Sequence, residues 1–270
     1  MGLEKTWIQE FKATLIERSI PFTTHGDAAI LLNNQQIVRL ISLNAIPDSI
    51  HFSQERIELE LAGFQVYNLW EDVWQSKSSQ VLSRLLYFSN LTERIHGRKC
   101  KVQPLNNIDF KSFLNAHHLQ SSIPCKIKYG LFYHGVLVAV AGFNQLQMPS
   151  KGVNYRSSEL LRYCTLPGIN ISGGLSKLLK AHFKLDGFDD VMSYADRDWS
   201  SGVGYNSLKF SFIGETPKVN FHVNIEDYER ISSLKFRNKL KCLSKPELAK
   251  FVEVFNSGNL KFIYKGEQFK

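Results

Sequence analysis

The chain has 270 residues, of which 43% are hydrophobic and 12% aromatic. This composition excludes a disordered or fibrous protein, and the length suits two modest domains or one domain with appendages. The net charge of +8 excludes a strongly acidic chain, and the excess is uneven, because residues 232–270 carry nine Lys or Arg against three Glu.

In chain order, the first hundred residues predict a small α/β unit. Trp7, Phe11 and Leu15 recur at helical spacing, and the stretches AAILL and QQIVRLISL flank Asn33-Asn34 as the strands of a hairpin do. A helix over 53–61 ends at Gly63, FQVYNLW is typical of a buried strand, and SSQVLSRLLYF of an amphipathic helix. The predicted order is helix, hairpin, helix, strand, helix.

A second unit begins at KVQPL, with DFKSFLNAHH as its first helix. KIKYGLFY and VLVAVAGF flank His134-Gly135 and predict an antiparallel hairpin. SSELLRYCTL follows as a strand, GGLSKLLKAHF as a helix, DDVMSYA as a strand, GYNSLKF as a short helix leading into a strand, and VNFHV as the last strand. The fold class is therefore α/β, with a mixed sheet and flanking helices over residues 101–223.

Residues 224–270 predict a helix-rich basic extension that ends in the strand KFIYKG. The predicted domains are 1–100, 101–223 and 224–270. A localised run of cations favours phosphate backbones, because it releases condensed counterions when it binds. Lys235, Arg237, Lys239 and Lys241 are the predicted nucleic-acid contacts, and a merely soluble basic face is the alternative.

Cysteine and histidine spacing predicts no metal site and no disulfide framework. The four cysteines never form a CxxC pair, and no histidine has metal-ligand spacing with a Cys or carboxylate neighbour. The N-terminus lacks an apolar signal core, and the chain has no run of about 18 apolar residues. We expect a cytoplasmic protein with reduced thiols and no membrane segment. The cysteines are Cys100, Cys125, Cys164 and Cys242.

A double glycine after Pro167 carries the most informative signal for chemistry. The strand ends at Pro167-Gly168, and a helix begins at Gly173-Gly174 with Ser176 and Lys177 in its first turn. A helix N-terminus offers free amides and a partial positive charge, so this turn predicts a phosphate-bearing cofactor, with ordinary turn chemistry as the alternative. The predicted cofactor-binding residues are Asn170, Ser172, Gly173, Gly174, Ser176 and Lys177.

The same stretch resembles the GNAT superfamily of acyl-CoA-dependent N-acyltransferases. That family has a pyrophosphate loop Gln/Arg-x-x-Gly-x-Gly/Ala, and Asn170, Gly173 and Leu175 stand at its fixed positions. GYNSLKFSFIG is similar to the family's closing Tyr-x-x-x-Gly-Phe stretch, with Tyr205 at the tyrosine. The resemblance implies an acetyl-CoA or other acyl-CoA cofactor and Tyr205 as the acid that protonates the leaving thiolate.

Two residues are candidates for the general base of such a reaction. Glu159 lies on the strand that leads to the glycine loop, where a carboxylate can take a proton from an attacking amine; an ion pair with Arg162 is the alternative. Asp196 lies in a polar and aromatic group just after a predicted strand, where ligands bind in α/β sheets; capping of the next turn is the alternative.

A wider resemblance spans roughly residues 64–266 and is to phage and mobile-element proteins. In these, a very-short-patch-repair-like homing nuclease domain precedes a GNAT-like half; the matching stretches include LWEDVW, ERIHGRKCKV, SYADRDWSSGVGY and SGNLKFIYKG. SYAD is also similar to phage Mom-type proteins that modify adenine. The likeness implies a DNA partner and, under the nuclease alternative, Mg²⁺.

The N-terminal unit departs from a nuclease pattern. Cleavage of this kind needs clustered carboxylates around a divalent ion, whereas the hairpin offers only His25 and Asp27 and no acid in QQIVRLISLN. We therefore expect a degenerate nuclease-like unit. The favoured function is acyl transfer to an amine of a nucleic acid or an associated target, with a homing-type endonuclease or a non-catalytic DNA-binding protein as alternatives. The oligomeric state stays open.

Overall fold

The computed structural model describes residues 6–147, 154–241 and 244–266. Its elements in chain order are α1 (Trp7–Glu17), β1 (Thr23–Thr24), β2 (Ala29–Leu32), β3 (Gln36–Ile41), α2 (Ser49–Leu61), β4 (Gln65–Trp70), α3 (Glu71–Phe88), β5 (Glu93–His96), a 3-10 turn (Gly97–Lys99), β6 (Lys101–Pro104), α4 (Asn107–His117), β7 (Ile127–Tyr133), β8 (Val136–Leu146), β9 (Ser157–Thr165), β10 (Ile169–Ser172), α5 (Gly174–Asp186), β11 (Asp190–Asp196), α6 (Val203–Ser207), β12 (Ser211–Glu215), β13 (Asn220–Asn224), β14 (Arg230–Ser232), α7 (Ser233–Leu240), α8 (Lys245–Leu248), β15 (Phe251–Phe255) and β16 (Asn259–Lys265).

Two compact units share this chain, and each consists of three sequence segments. The first unit combines Met1–Ser89, Asp196–Ser201 and Thr216–Asn259; the second combines Asn90–Ala195, Gly202–Glu215 and Leu260–Lys270. This division differs from the predicted boundaries at 100/101 and 223/224, because the segment after Glu215 leaves the second unit and the last strand returns to it. The last strand joins the second unit by pairing with strands far away in the sequence, and composition and periodicity do not predict such pairing.

The first unit contains a four-stranded sheet in the order β1-β2-β3-β4 and a three-stranded sheet in the order β14-β13-β15. Asn33 and Asn34 both have positive φ, so asparagine's tolerance of this backbone region closes the β2–β3 hairpin as predicted. The predicted order of helix, hairpin, helix, strand and helix is confirmed, with β4 parallel to β3. The segment VNFHV is β13 and pairs with β14 and β15, so its predicted place in the larger sheet is wrong.

The second unit is built on a seven-stranded mixed sheet in the order β12-β16-β11-β9-β8-β7-β6. Strands β6 to β9 are antiparallel neighbours, whereas β9 and β11 are parallel. The β7–β8 hairpin turns at His134 and Gly135, both with positive φ, as the sequence predicts. The predicted mixed α/β fold with flanking helices is confirmed. The C-terminal strand β16 lies between β11 and β12.

Alternating side chains of the large sheet bury two separate apolar clusters. Ala139 and Ala141 of β8 join the cluster that contains Leu178 and Leu179 of α5, whereas Val140 joins the cluster around α4. Because successive residues of a strand point to opposite faces, α5 and α4 cover opposite faces of the sheet. In the described part of the chain, no helix is long and apolar enough to cross a membrane.

Candidate functional site

The double glycine begins α5 as the sequence predicts. Gly173 has φ of +73° and precedes the helix in the left-handed conformation, which glycine adopts without a steric cost. Gly174 is buried, and a Cβ there would lie 2.8 Å from Ile171 and 3.0 Å from the Tyr163 hydroxyl. No heavy atom of the described residues lies within 4 Å of the Cβ position of Gly173, and no side chain among them caps the first turn. The start of the helix is therefore accessible at Gly173, whereas Gly174 is packed against Ile171 and Tyr163.

The segment before this turn is a strand, whereas the sequence predicts a loop there. Asn170 and Ser172 belong to β10, which pairs in parallel with β5. The Arg94 guanidinium also donates to the Ser172 hydroxyl at 3.1 Å. Strand β5 comes from the run ERIHGRK, for which periodicity predicts no element. This run brings Arg94 to the start of α5, and its basic composition is the signal that could have pointed to it.

Lys177, a predicted phosphate ligand, contacts main-chain oxygens next to the start of α5. Its ammonium donates to the carbonyl oxygens of Gly97 at 3.2 Å, Arg98 at 3.5 Å and Cys100. Gly97 lies so close to the start of α5 that a Cβ would meet the Gly173 carbonyl at 3.0 Å. Lys177 therefore fastens the 3-10 turn to the helix. The remaining first-turn residue, Ser176, is exposed.

Leu175, at the third position of the glycine-loop pattern, packs against the apolar cluster between α5 and the sheet. Its side chain is half-buried there. No atom of Leu175 lies within 4 Å of the Cβ position of Gly173.

Strands β9 and β11 separate after a short parallel ladder. Their register runs from Asp190–Ser157 to Ser193–Leu160 and ends there, although β9 continues to Thr165. On its other side, β9 keeps its pairing with β8, with a register shift that leaves Leu161 outside the ladder. Bulges of this kind bend a strand and are frequent beside active sites. The central sheet therefore forks at Leu160 and Ser193.

Tyr205 lies at this fork. The Ser193 hydroxyl donates to the Leu160 carbonyl at 3.2 Å, and its oxygen is 3.0 Å from the Tyr205 hydroxyl. The Tyr205 ring stacks on Phe262 with centroids 4.9 Å apart and meets the edge of Phe210 at 5.1 Å. Aromatic packing thus holds a proton-carrying hydroxyl where the two central strands part.

Glu159 precedes the fork on the opposite face of the sheet from α5. Its neighbour Ser158 bonds to His182 of α5, so alternation directs the Glu159 side chain away from that helix. Burial raises the pKa of the Glu159 carboxyl, while Arg162 and Lys261 oppose this rise. A half-buried carboxylate with a raised pKa is a stronger base than an exposed one.

Asp196 is the last residue of β11 and belongs to the first unit. Its carboxylate accepts a hydrogen bond from the Asp198 amide at 3.0 Å, which is the capping role that the sequence leaves as an alternative. Asp198 itself is buried and accepts from the Asn68 side-chain amide at 2.7 Å and from the Ser257 amide at 3.1 Å. Asp196 and Asp198 therefore hold the segment 196–201 in place within the first unit.

The two residues that the nuclease alternative singles out line a cleft of about 480 Å³ in the first unit. His25 and Asp27 lie along it together with Arg39 and Glu55, and Arg39 pairs with Glu55 at 3.1 Å. Among the described residues, no group of three or more His, Cys, Asp or Glu side chains could hold a metal ion. The carboxylate cluster that the nuclease alternative requires is thus missing from this part of the chain.

The predicted nucleic-acid residues lie on or just after α7. Phe236 stacks on His222 at 3.7 Å and packs on Phe251, so this side of the helix faces its sheet. The four cations are exposed, and Lys239 pairs with Glu229 at 2.8 Å. Residues two positions apart on a helix point in opposite directions, so the cations form two flanks. Lys235 and Lys239 form one, and Arg237 and Lys241 the other. Cys242 lies outside the described residues.

No protein-family model matches the chain, and no curated protein matches it in sequence. Several solved structures with a similar fold are acetyltransferases. One, from Bacillus subtilis in complex with CoA, has 9% identity and a TM-score of 0.37, over 62% of this chain and 99% of that one. A GNAT family acetyltransferase from Elizabethkingia anophelis with acetyl-CoA bound has 10% identity and a TM-score of 0.33, over 62% and 98%.

A variant of the spermidine N-acetyltransferase from Vibrio cholerae has 10% identity and a TM-score of 0.40, over 64% of this chain and 96% of that one. Because such values define neither a family nor a site, only the geometry of this chain bears on its function.

Proposed function

We propose that the chain is a GNAT-type, acyl-CoA-dependent N-acyltransferase. The observation that carries the proposal is the fork of the central sheet, with the Tyr205 hydroxyl 3.0 Å from Ser193 at its base. The ladder between β9 and β11 ends at Leu160 and Ser193, although β9 continues to Thr165.

The start of α5 fits a diphosphate group. Its first-turn amides have no acceptor within the helix and no side-chain cap from the described residues, and the exposed Gly173 and Ser176 leave them open. In this scheme Gly173, Gly174 and Ser176 meet the diphosphate, while Asn170, Ser172 and Lys177 hold the turn in shape. When bound, acyl-CoA supplies an activated thioester.

Glu159 acts as base and Tyr205 as acid. Glu159 takes the proton that the acceptor amine loses as its nitrogen bonds to the acyl carbon. Tyr205 gives a proton to the sulfur as the carbon–sulfur bond breaks, so an amide and a thiol leave. Asp196 is less suited to the base role, because its carboxylate already accepts from the Asp198 amide.

For the acceptor, we propose an amine on a nucleic acid or on a molecule bound to one. The net charge of +8 and the exposed cations around α7 support this choice. The mobile-element context and the nuclease-like origin of the first unit stay predictions.

Calorimetric titration of the full chain with CoA tests the function. Ser176→Asp adds a negative charge to the exposed first turn, where it stabilises the helix but repels a diphosphate. We expect at least a roughly tenfold loss of CoA affinity, equivalent to about 1.4 kcal/mol. Ser176→Asn is the matched control without the added charge and should lose much less affinity. No heat of binding with CoA, or equal binding by both variants, would refute the proposal.

A further inference from the structure

Strands β9, β11 and β16 carry half-buried side chains on one face of the sheet, whereas the adjacent side chains of the same strands are fully buried. Glu159 faces away from α5, and its register partner on β11 is Met192. Tyr194 follows two residues later and so shares this face. The Lys261 ammonium of β16 lies 6.0 Å from the centre of the Tyr194 ring. All four side chains are half-buried, whereas Leu160, Val191, Ser193 and Phe262 beside them are buried.

This half-buried face, formed by Glu159, Met192, Tyr194 and Lys261, contains a cation that makes no ion pair. Among the described residues, the Lys261 ammonium makes no salt bridge or hydrogen bond, and the group that it contacts is the Tyr194 ring. Lys261 is near enough to lower the pKa of Glu159, yet the two charges do not meet. A partly desolvated ammonium is stabilised by a direct anionic partner, which a ligand can supply here.

Arg162, the other cation that acts on Glu159, differs from Lys261 in this respect. Its guanidinium donates to the carbonyl oxygens of Leu161 at 2.8 Å and Ser121 at 3.4 Å. These main-chain acceptors fix its side chain. Lys261 is therefore the better placed of the two cations to meet an anion on the half-buried face.

We propose that this face binds the acyl acceptor and that the acceptor is an amine with an anionic group, a phosphate or a carboxylate, close to it. Lys261 meets the anion, and Glu159 receives the amine proton. The inference rests on the proposed acyl transfer and extends it to the class of substrate. The anionic group can belong to a small phosphorylated amine or to the backbone of a nucleic acid.

Matched acceptors test the proposal on the full chain with acetyl-CoA. Each pair differs only in a phosphate: ethanolamine and phosphoethanolamine, glucosamine and its 6-phosphate, an amine-bearing nucleoside and its nucleotide. An amine-bearing oligonucleotide separates the macromolecular source from the small one. Product masses give the rates. We expect kcat/KM at least about tenfold higher for the phosphorylated member, the size of one charge-assisted contact.

Two substitutions localise the effect. Lys261→Gln should remove the preference for phosphate, and Lys261→Glu should reverse it in favour of a polyamine such as spermidine. Lys265→Gln removes the same charge from an exposed position of β16 and should keep the preference. Direct titration of phosphoethanolamine into the CoA-bound protein gives a readout without turnover, and Lys261→Gln should weaken that binding as well.

The outcomes separate the two proposals. Absence of CoA binding overturns the acyltransferase function itself. Three results overturn the acceptor inference when CoA does bind, and they leave the function standing. Both members of every pair are used equally, or no anionic amine is acylated, or the preference for phosphate persists in Lys261→Gln.

Discussion

The hydroxyl groups of Tyr205 and Ser193 lie 3.0 Å apart at the last rung of the ladder between β9 and β11. Ser193 is buried and donates to Leu160, the residue opposite it in the register. The tyrosine is therefore fixed by its hydroxyl as well as by the stacked Phe262 ring. A hydroxyl held in this way is oriented before any ligand arrives, as the proposed acid role requires.

Removal of the Tyr205 hydroxyl should slow catalysis without loss of cofactor affinity. We expect Tyr205→Phe to lower kcat roughly 100-fold, the lower end of the range for a general acid, because the ring packing is retained. Titration with CoA should give the wild-type affinity. The matched control is Tyr264→Phe, which loses a hydroxyl from the same aromatic cluster. Wild-type kcat in Tyr205→Phe would exclude the acid role.

The parts of this site that sequence predicts are local in origin. Gly173 and Gly174 mark the start of α5 because the left-handed turn and the close approach of Ile171 require glycine there. The β7–β8 hairpin follows from His134 and Gly135 for the same reason. These features depend on residues that are close together in the sequence. Hydrophobic periodicity and the residue preferences of turns predict structure over such short distances.

The remaining parts depend on pairing between distant segments. The predicted loop around Asn170 is a strand because β5, more than seventy residues earlier, pairs with it. Lys177 donates to carbonyls of the 3-10 turn that follows β5, a contact that its position in the first turn does not indicate. Strand β13 could not be assigned to its sheet from sequence, since alternation shows that a segment is a strand but not which edge it joins.

The pH dependence of catalysis should report Glu159. A base must be unprotonated to act, so kcat/KM should rise with pH through the pKa of Glu159, which burial raises. Lys261 lowers that pKa, so Lys261→Gln should raise it further and move the acidic limb of the profile to higher pH. Glu159→Gln should remove the limb, and Lys265→Gln should leave it in place. An unchanged or opposite shift in Lys261→Gln contradicts this assignment.

His182 links fold stability to pH through a buried network. Its Nε2 lies 2.9 Å from the Ser158 hydroxyl, and its Nδ1 lies 2.8 Å from the Asp186 carboxylate. The ring is stacked between Phe143 at 4.0 Å and Phe188 at 4.7 Å. This order of serine, histidine and aspartate resembles a hydrolytic triad, but Ser158 and His182 are fully buried, so no substrate can reach them.

Burial lowers the pKa of His182 to about 4, against 6.5 for a free histidine, although Asp186 opposes the shift. Between pH 6.5 and 4, the imidazole is protonated in the unfolded chain but not in the folded chain. The contribution of His182 to the free energy of unfolding is therefore complete above pH 6.5 and falls as the pH drops toward 4. At pH 5 the loss should be about 2 kcal/mol in urea unfolding. His182→Gln should lack this part of the pH dependence. Equal slopes for the variant and the natural chain would show that the imidazole does not titrate in this way.

Asp198 should matter for the stability of the first unit. It is buried and accepts from Asn68 and from the Ser257 amide, so Asp198→Ala leaves one buried and one half-buried donor without this acceptor. We expect a loss of about 2 to 3 kcal/mol in the free energy of unfolding. A double-mutant cycle with Asn68→Ala should give a coupling of about 1 kcal/mol. Asp27→Ala, at an exposed position of the same unit, should change stability by less than about 0.5 kcal/mol. Full additivity in the cycle would contradict this anchoring role.

The two flanks of α7 should contribute unequally to nucleic-acid binding. Lys239 is already paired with Glu229, which leaves Arg237 and Lys241 as the flank whose cations have no ion-pair partner among the described residues. Arg237→Gln with Lys241→Gln should lower the dependence of log K on log salt by about 2, one unit for each phosphate that the variant no longer neutralises. Lys235→Gln with Lys239→Gln has the same change in charge and should have a smaller effect. Equal effects of the two pairs would mean that only the overall charge attracts DNA. If the protein without substitutions does not bind duplex DNA at low salt, nucleic acid is excluded as a partner.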